Sequence, residues 1–136
     1  MTGWVTVGFA NTDYATVAYG ASTGAQLWVK RYNGSGNSDD KAQSIVASPD
    51  GSKVFVTGWT RLASGDYDYG TVAYDPSTGA KLWVKLYNGP ANASDFAHSV
   101  AASPDGSTVF VTGESQGVTT GDDYATVAGR VRQRGV

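Results

Sequence analysis

Four aspartates in two loops are the residues of this chain best suited to holding a metal ion. Asp66 and Asp68 flank Tyr67, and Asp122 precedes Asp123 directly. Calcium accepts carboxylate oxygens of this kind, but neither loop continues into the EF-hand pattern of alternating acidic residues, a glycine and a final glutamate. We therefore interpret these aspartates as turn and strand-end residues, with a weak metal site as the alternative.

The other residue types give no nucleophile with a matching base. The chain contains no cysteine, and no serine lies in a nucleophile-elbow context. His98 is the single histidine, and its counterpart in the preceding repeat is Gln43, so we interpret it as a polar strand residue facing solvent. We predict no catalytic residue, no bound cofactor and no metal, and we expect no catalysis by this chain alone.

Charge and hydropathy exclude two classes of partner. A net charge of -2 offers no broad basic surface, which argues against binding nucleic acid. Apolar runs are far shorter than a membrane span, and the first residues lack the pattern of an export signal. We expect neither nucleic acid nor membrane as a partner.

An internal repeat of 55 residues organises the chain. Residues 13–67 recur at 68–122 without insertion or deletion, 32 of the 55 positions are identical, and a third copy begins at Asp123. In a repeat of this kind each unit buries its apolar face against its neighbours.

Turn signals divide one repeat into four strand-like runs. These cover 42–48, 53–59, 68–74 and 81–87, and the turns between the first pair and the last pair each combine proline with glycine. Four antiparallel strands in about 50 residues are typical of a β-propeller blade. An immunoglobulin sandwich, the main rival, needs about 100 residues.

The third and fourth runs resemble a family signature. Residues 73–83, AYDPSTGAKLW, resemble the AxDxxTGxxxW tryptophan-docking motif of quinoprotein-type (PQQ-like) propellers, although Gly20 replaces the aspartate in the first copy. The resemblance implies that a tryptophan of each blade packs between neighbouring blades near the motif's glycine and alanine. The residues in these roles would be Trp28, Trp83, Gly24, Gly79, Ala18 and Ala73.

The first two runs resemble a second family. Residues 44–58 and 99–113, each containing SPDGS, are similar to the hairpin of bacterial SBBP and YVTN repeat propellers. Such blades serve as scaffolds, surface proteins and enzymes alike. Because the chain lacks the residues that such enzymes need, we expect a non-catalytic scaffold or binding module. The resemblance favours a location outside the cytoplasm. The alternative is a fragment of a quinoprotein-like or lyase-like propeller enzyme that lacks its active site. The resemblance implies that those enzymes use more blades, and that many of them also have a vicinal disulfide and a calcium ion.

The repeat boundaries predict about two and a half blades in an incomplete ring. Residues 1–39 would supply the third and fourth strands of one blade, 40–94 a complete blade, 95–128 the first to third strands of another, and 129–136 a divergent tail. Open strand edges invite pairing. We expect the partners to be other propeller blades or copies of the same chain, in a larger or self-assembling propeller.

Variable loops between the repeats are the candidate contact surface. Trp4, Trp59, Arg61 and Tyr67 lie in or beside them, and aromatic and arginine side chains anchor interfaces well. A protein or a carbohydrate would be the ligand of such a surface. The alternative is that the loops differ through ordinary variation in turn sequence and bind nothing.

Overall fold

The computed structural model describes residues 1–7 and 11–130, and the side chains of residues 4–7 lie outside that description. Every regular element in this range is a β-strand. The strands form three antiparallel sheets in the orders β1-β2-β3, β4-β5-β6-β7 and β10-β9-β8. Their bounds are β1 Thr2–Val7, β2 Asn11–Tyr19, β3 Gln26–Tyr32, β4 Asp40–Ala47, β5 Val54–Arg61, β6 Tyr67–Tyr74, β7 Lys81–Tyr87, β8 Asp95–Ala102, β9 Thr108–Gly117 and β10 Gly121–Arg130.

The all-β prediction is confirmed, and so are the four antiparallel strands of the middle unit. The expected count for the first segment was wrong by one strand. Thr2 pairs with Thr16 and Val7 with Asn11, so residues 2–7 form a strand in front of the two that were expected. The hydroxyl of Thr2 also donates to the carbonyl of Ala15 at 3.2 Å. The first and third sheets therefore each contain three strands. Residues 131–136 of the expected divergent tail lie outside the described residues.

Local hydrogen bonds explain why each SPDGS segment reverses the chain. The Ser48 amide donates to the Lys53 carbonyl at 2.9 Å, and the Asp50 carboxylate accepts from the amide and the hydroxyl of Ser52. These bonds hold the pKa of Asp50 down to about 2, with the hydroxyl of Ser48 as the largest cause. The second SPDGS turn repeats the arrangement around Asp105. A short polar segment thus fixes the register of the first two strands of each unit.

The apolar core lies between the sheets. Val56, Val72 and Tyr74 of the second sheet pack with Tyr14 and Tyr32 of the first. On the opposite side of the second sheet, a separate cluster packs against the third sheet and contains Phe55, Tyr69, Ala73, Ala97, Val100, Val109 and Val111. Because side chains alternate along a strand, the middle sheet buries both of its faces.

Candidate functional site

The contact between the first and second sheets is built around Trp28. Its indole Nε1 donates to the carbonyl of Pro76 at 2.8 Å, and its ring lies 6.1 Å from the ring of Tyr74. A β-carbon at Gly79 would lie 2.8 Å from the Trp28 ring, so only glycine leaves room for the indole. Trp28 of one repeat therefore packs on the proline and glycine turn of the next.

The other residues expected in tryptophan docking lie in different surroundings. Ala18 is the cross-strand neighbour of Trp28, and Ala73 that of Trp83. Gly24 has no heavy atom of the described chain within 4 Å of its β-carbon position. Trp83 lies with its ring 5.7 Å from that of Phe55 and faces the third sheet. Trp28 and Trp83 thus occupy equivalent positions at the two successive contacts between sheets.

Two buried tyrosines, which sequence analysis missed, also join the sheets. Tyr14 donates its hydroxyl hydrogen bond to the carbonyl of Gly70 at 3.1 Å, and Tyr69 does the same to Ala125 at 3.3 Å. Each bond spans 56 residues and is the other's repeat equivalent. Burial raises the pKa of Tyr69 to about 12, so its hydroxyl stays protonated and able to donate. The signal in the sequence was the DY pair that opens each copy.

Two fully buried aspartates, also missed, hold the segment that links one sheet to the next. Asp40 accepts from the amide of Gly34 at 2.7 Å and from the hydroxyl of Thr60. Its equivalent, Asp95, accepts from the amide of Gly89 at 2.6 Å. Burial raises the pKa of Asp40, and these hydrogen bonds offset part of that effect. The repeated asparagine and glycine six or seven residues before each aspartate were the available signal.

The four aspartates considered for metal binding do not meet at one place. Asp68 is buried and Asp66 is half-buried, whereas Asp122 and Asp123 are exposed. Within the described residues, no group of three or more acidic, histidine or cysteine side chains could hold a metal ion.

Asp68 is the exceptional member of that set. One of its carboxylate oxygens, Oδ1, is buried without a hydrogen-bond partner among the described residues. Burial raises its pKa to about 6, and the negative charges of Asp95 and Asp66 add to the shift. An aspartate in this environment weakens the fold whenever it is ionised.

Part of the candidate contact surface forms an aromatic cluster that bridges two sheets. The ring of Trp59 lies 4.9 Å from Tyr67 and 5.7 Å from Phe96, which belongs to the third sheet. The Arg61 guanidinium lies 5.6 Å from the Tyr67 ring, and its Nε donates to the carbonyl of Gly65. These side chains therefore contribute to packing between sheets. The side chain of Trp4 lies outside the described residues.

His98 lies on β8 with its side chain about half exposed, and its Nε2 is 3.1 Å from a carboxylate oxygen of Glu114. An exposed pair of this kind contributes little to stability.

No protein-family model, no curated protein and no solved structure matches the chain. Within the described residues, no helix is long and apolar enough to cross a membrane.

Proposed function

We propose that this chain is a non-catalytic segment of a β-propeller and that it acts as a scaffold or binding module by stacking its sheets on those of other blades. Each sheet would be one blade, complete in the middle and lacking one strand at either side. The proposal rests on a difference in exposure between residues 55 positions apart in the repeat. Residues on the inner faces, where two sheets of the chain pack together, are buried, whereas their equivalents on the outer faces of the first and third sheets are exposed.

The outer face of the third sheet exposes the side chains that the second sheet buries. Tyr124 is 86% exposed, whereas its equivalent Tyr69 is 1% exposed. Phe110 is likewise exposed, whereas its equivalent Phe55 is buried. A face that matches an inner contact and has no partner in the described chain favours a further sheet as its partner.

The outer face of the first sheet offers the complementary half of the same contact. Tyr19 is 47% exposed, whereas its equivalent Tyr74 is 1% exposed and packs against the preceding sheet. Met1 and Val29 are also exposed on this sheet. Val56, the equivalent of Met1, is fully buried. The two ends of the chain thus carry the two halves of one kind of interface.

A second copy of the chain can supply the missing partner. Stacking the first sheet of one copy on the third sheet of another would let Tyr124 donate to the carbonyl of Ala15, as Tyr14 does to Gly70 and Tyr69 to Ala125. Such a contact is head-to-tail, so it closes into a ring when the rotation permits. With three sheets in each copy, two copies give six sheets, which lies within the four to eight blades typical of propellers.

Light scattering after size exclusion tests the proposal. We expect the chain, of 14.1 kDa, to have twice that mass in solution and Tyr124→Arg to have the mass of one copy. Val118→Arg is the matched control, because Val118 is also highly exposed but lies at the turn between β9 and β10. A wild-type chain that stays at 14.1 kDa at every concentration, or equal effects of the two variants, would contradict the proposal.

A further inference from the structure

A groove of about 80 Å³ opens between the second and third sheets. Its floor comes from three valines of the third sheet, and its walls come mainly from aromatic residues of the second. The floor consists of Val109, Val111 and Val127, and the aromatic walls of Tyr69, Trp83 and Tyr87. Gly129 lies at one end.

The equivalent space between the first and second sheets is filled by the side chain of Tyr74. Tyr74 is 55 residues before Gly129, so the repeat puts a phenol ring in one contact and a hydrogen atom in the other. The Tyr74 ring packs with Val56 and Val72, the equivalents of two floor valines, and tilts against Trp28, the equivalent of Trp83. The same chain therefore shows how a phenol ring occupies this kind of groove.

The surroundings of Gly129 leave room for such a ring. A β-carbon built on Gly129 would have no heavy atom of the described chain within 4 Å. By contrast, a β-carbon at Gly79, where two sheets are in close contact, would lie within 3 Å of Trp28. Among residues 1–7 and 11–130, nothing fills the groove at the position where the first contact holds an aromatic side chain.

The lining suits an uncharged aromatic ring. Valine side chains provide an apolar floor, and the rings of Trp83 and Tyr87 allow edge-to-face contacts. Thr71 and Lys85 also line the groove. The Tyr74 hydroxyl has no hydrogen-bond partner among the described residues in the equivalent place, so the ring and not the hydroxyl group determines the fit. A binding pocket typically combines such an apolar lining with a few polar groups.

We propose that this groove is a binding site for a small, uncharged phenol, whose ring takes the place that the Tyr74 ring takes in the preceding contact. The site is formed by two sheets of one copy, so it does not depend on the self-assembly proposed above. A groove that covers one ring predicts weak binding, with a Kd on the order of 1 mM.

An NMR titration with p-cresol, the side chain of tyrosine as a free molecule, tests this proposal. We expect shift changes at the methyl groups of Val109, Val111 and Val127. Gly129→Tyr fills the groove from within and should abolish them. Ala128→Tyr is the matched control, since it adds the same side chain to the opposite face of β10 and should leave binding unchanged.

Two further ligands define the chemical class. 4-Methylcyclohexanol has the same hydroxyl without an aromatic face, and we expect it to bind at least several-fold more weakly. N-acetyltyrosinamide carries the same ring on a peptide backbone. Tighter binding of that compound than of p-cresol would overturn the assignment in favour of a peptide ligand.

Other outcomes would also overturn the proposal. These are the absence of valine shifts at about twenty times the expected Kd, equal binding of 4-methylcyclohexanol, or unchanged binding to a folded Gly129→Tyr variant. If Gly129→Tyr does not fold, Gly129→Leu fills part of the same space and should weaken binding about tenfold or more.

Discussion

Replacing Asp68 by asparagine should stabilise the protein at neutral pH. Asp68 is 3% exposed, and its Oδ1 has no partner among the described residues. Asp95 and Asp66 are the charged groups that raise its pKa further after burial itself. Asparagine keeps the shape of the side chain and removes the charge.

The magnitude follows from the shift of the pKa. Burial raises the pKa of Asp68 to about 6 from an unperturbed value of 3.8. The folded state thus binds the proton on Asp68 more tightly than the unfolded state does. The contribution of this proton to the free energy of unfolding is fully present below about pH 4 and is lost as the pH rises through 6. A difference of one in pKa corresponds to about 1.4 kcal/mol. After allowance for solvent screening near the end of the sheet, we expect Asp68→Asn to raise the free energy of unfolding at pH 7 by roughly 1 to 2 kcal/mol.

Urea denaturation of the wild type and Asp68→Asn at several pH values measures this effect. The variant should be more stable at pH 7, and its advantage should shrink as the pH falls from 6 to 4. Asp123→Asn is the control, because its carboxylate is exposed, and the expected change is within about 0.5 kcal/mol. A difference between wild type and Asp68→Asn that does not vary with pH would refute the reasoning, as would a less stable variant at pH 7.

Three other substitutions, with Gly24→Ala as a control for the first, test contacts between the first and second sheets by chemical denaturation. Gly79 and Gly24 both have a φ near +70°, so alanine at either position should lower the free energy of unfolding by about 1 kcal/mol through backbone strain. Gly79→Ala should lower it by a further 1 to 3 kcal/mol, because its methyl group meets Trp28. Equal losses would mean that Trp28 gives way without cost. Tyr14→Phe should cost about 1 kcal/mol through its lost hydrogen bond, and no loss would contradict that bond. Tyr74→Phe should gain up to about 1 kcal/mol, since its buried hydroxyl has no partner among the described residues, and a clear loss would reveal one.

Strand positions could be predicted from the sequence because the signals are local. The runs at 68–74 and 81–87 correspond to β6 and β7 within one residue, and the turn between them follows from its proline and glycine. The strand at 2–7 is harder to recognise, because only residues 2–4 match the equivalent positions 57–59 of the following copy. Alternation along each strand indicated two faces but not which neighbour each face would meet.

The contacts between sheets could not be predicted from local pattern. Tyr14 and Gly70 are neighbours only because one sheet stacks on the next, and a repeat-invariant tyrosine alone does not indicate its partner. The buried Asp40 was missed for a similar reason. Aspartate is normally exposed, and only the folded link brings the Gly34 amide to its carboxylate. The groove beside Gly129 required both the repeat alignment and the stacked sheets.

The central claim is that the outer faces of the first and third sheets bind each other, and a mixing experiment tests it most directly. Tyr124→Arg damages only the third-sheet face and Tyr19→Arg only the first-sheet face, so each variant alone should have the mass of one copy by light scattering. Mixed in equal amounts, they retain one intact pair of faces and should form a complex of two copies. No complex in the mixture, or single variants that still assemble, would contradict head-to-tail stacking.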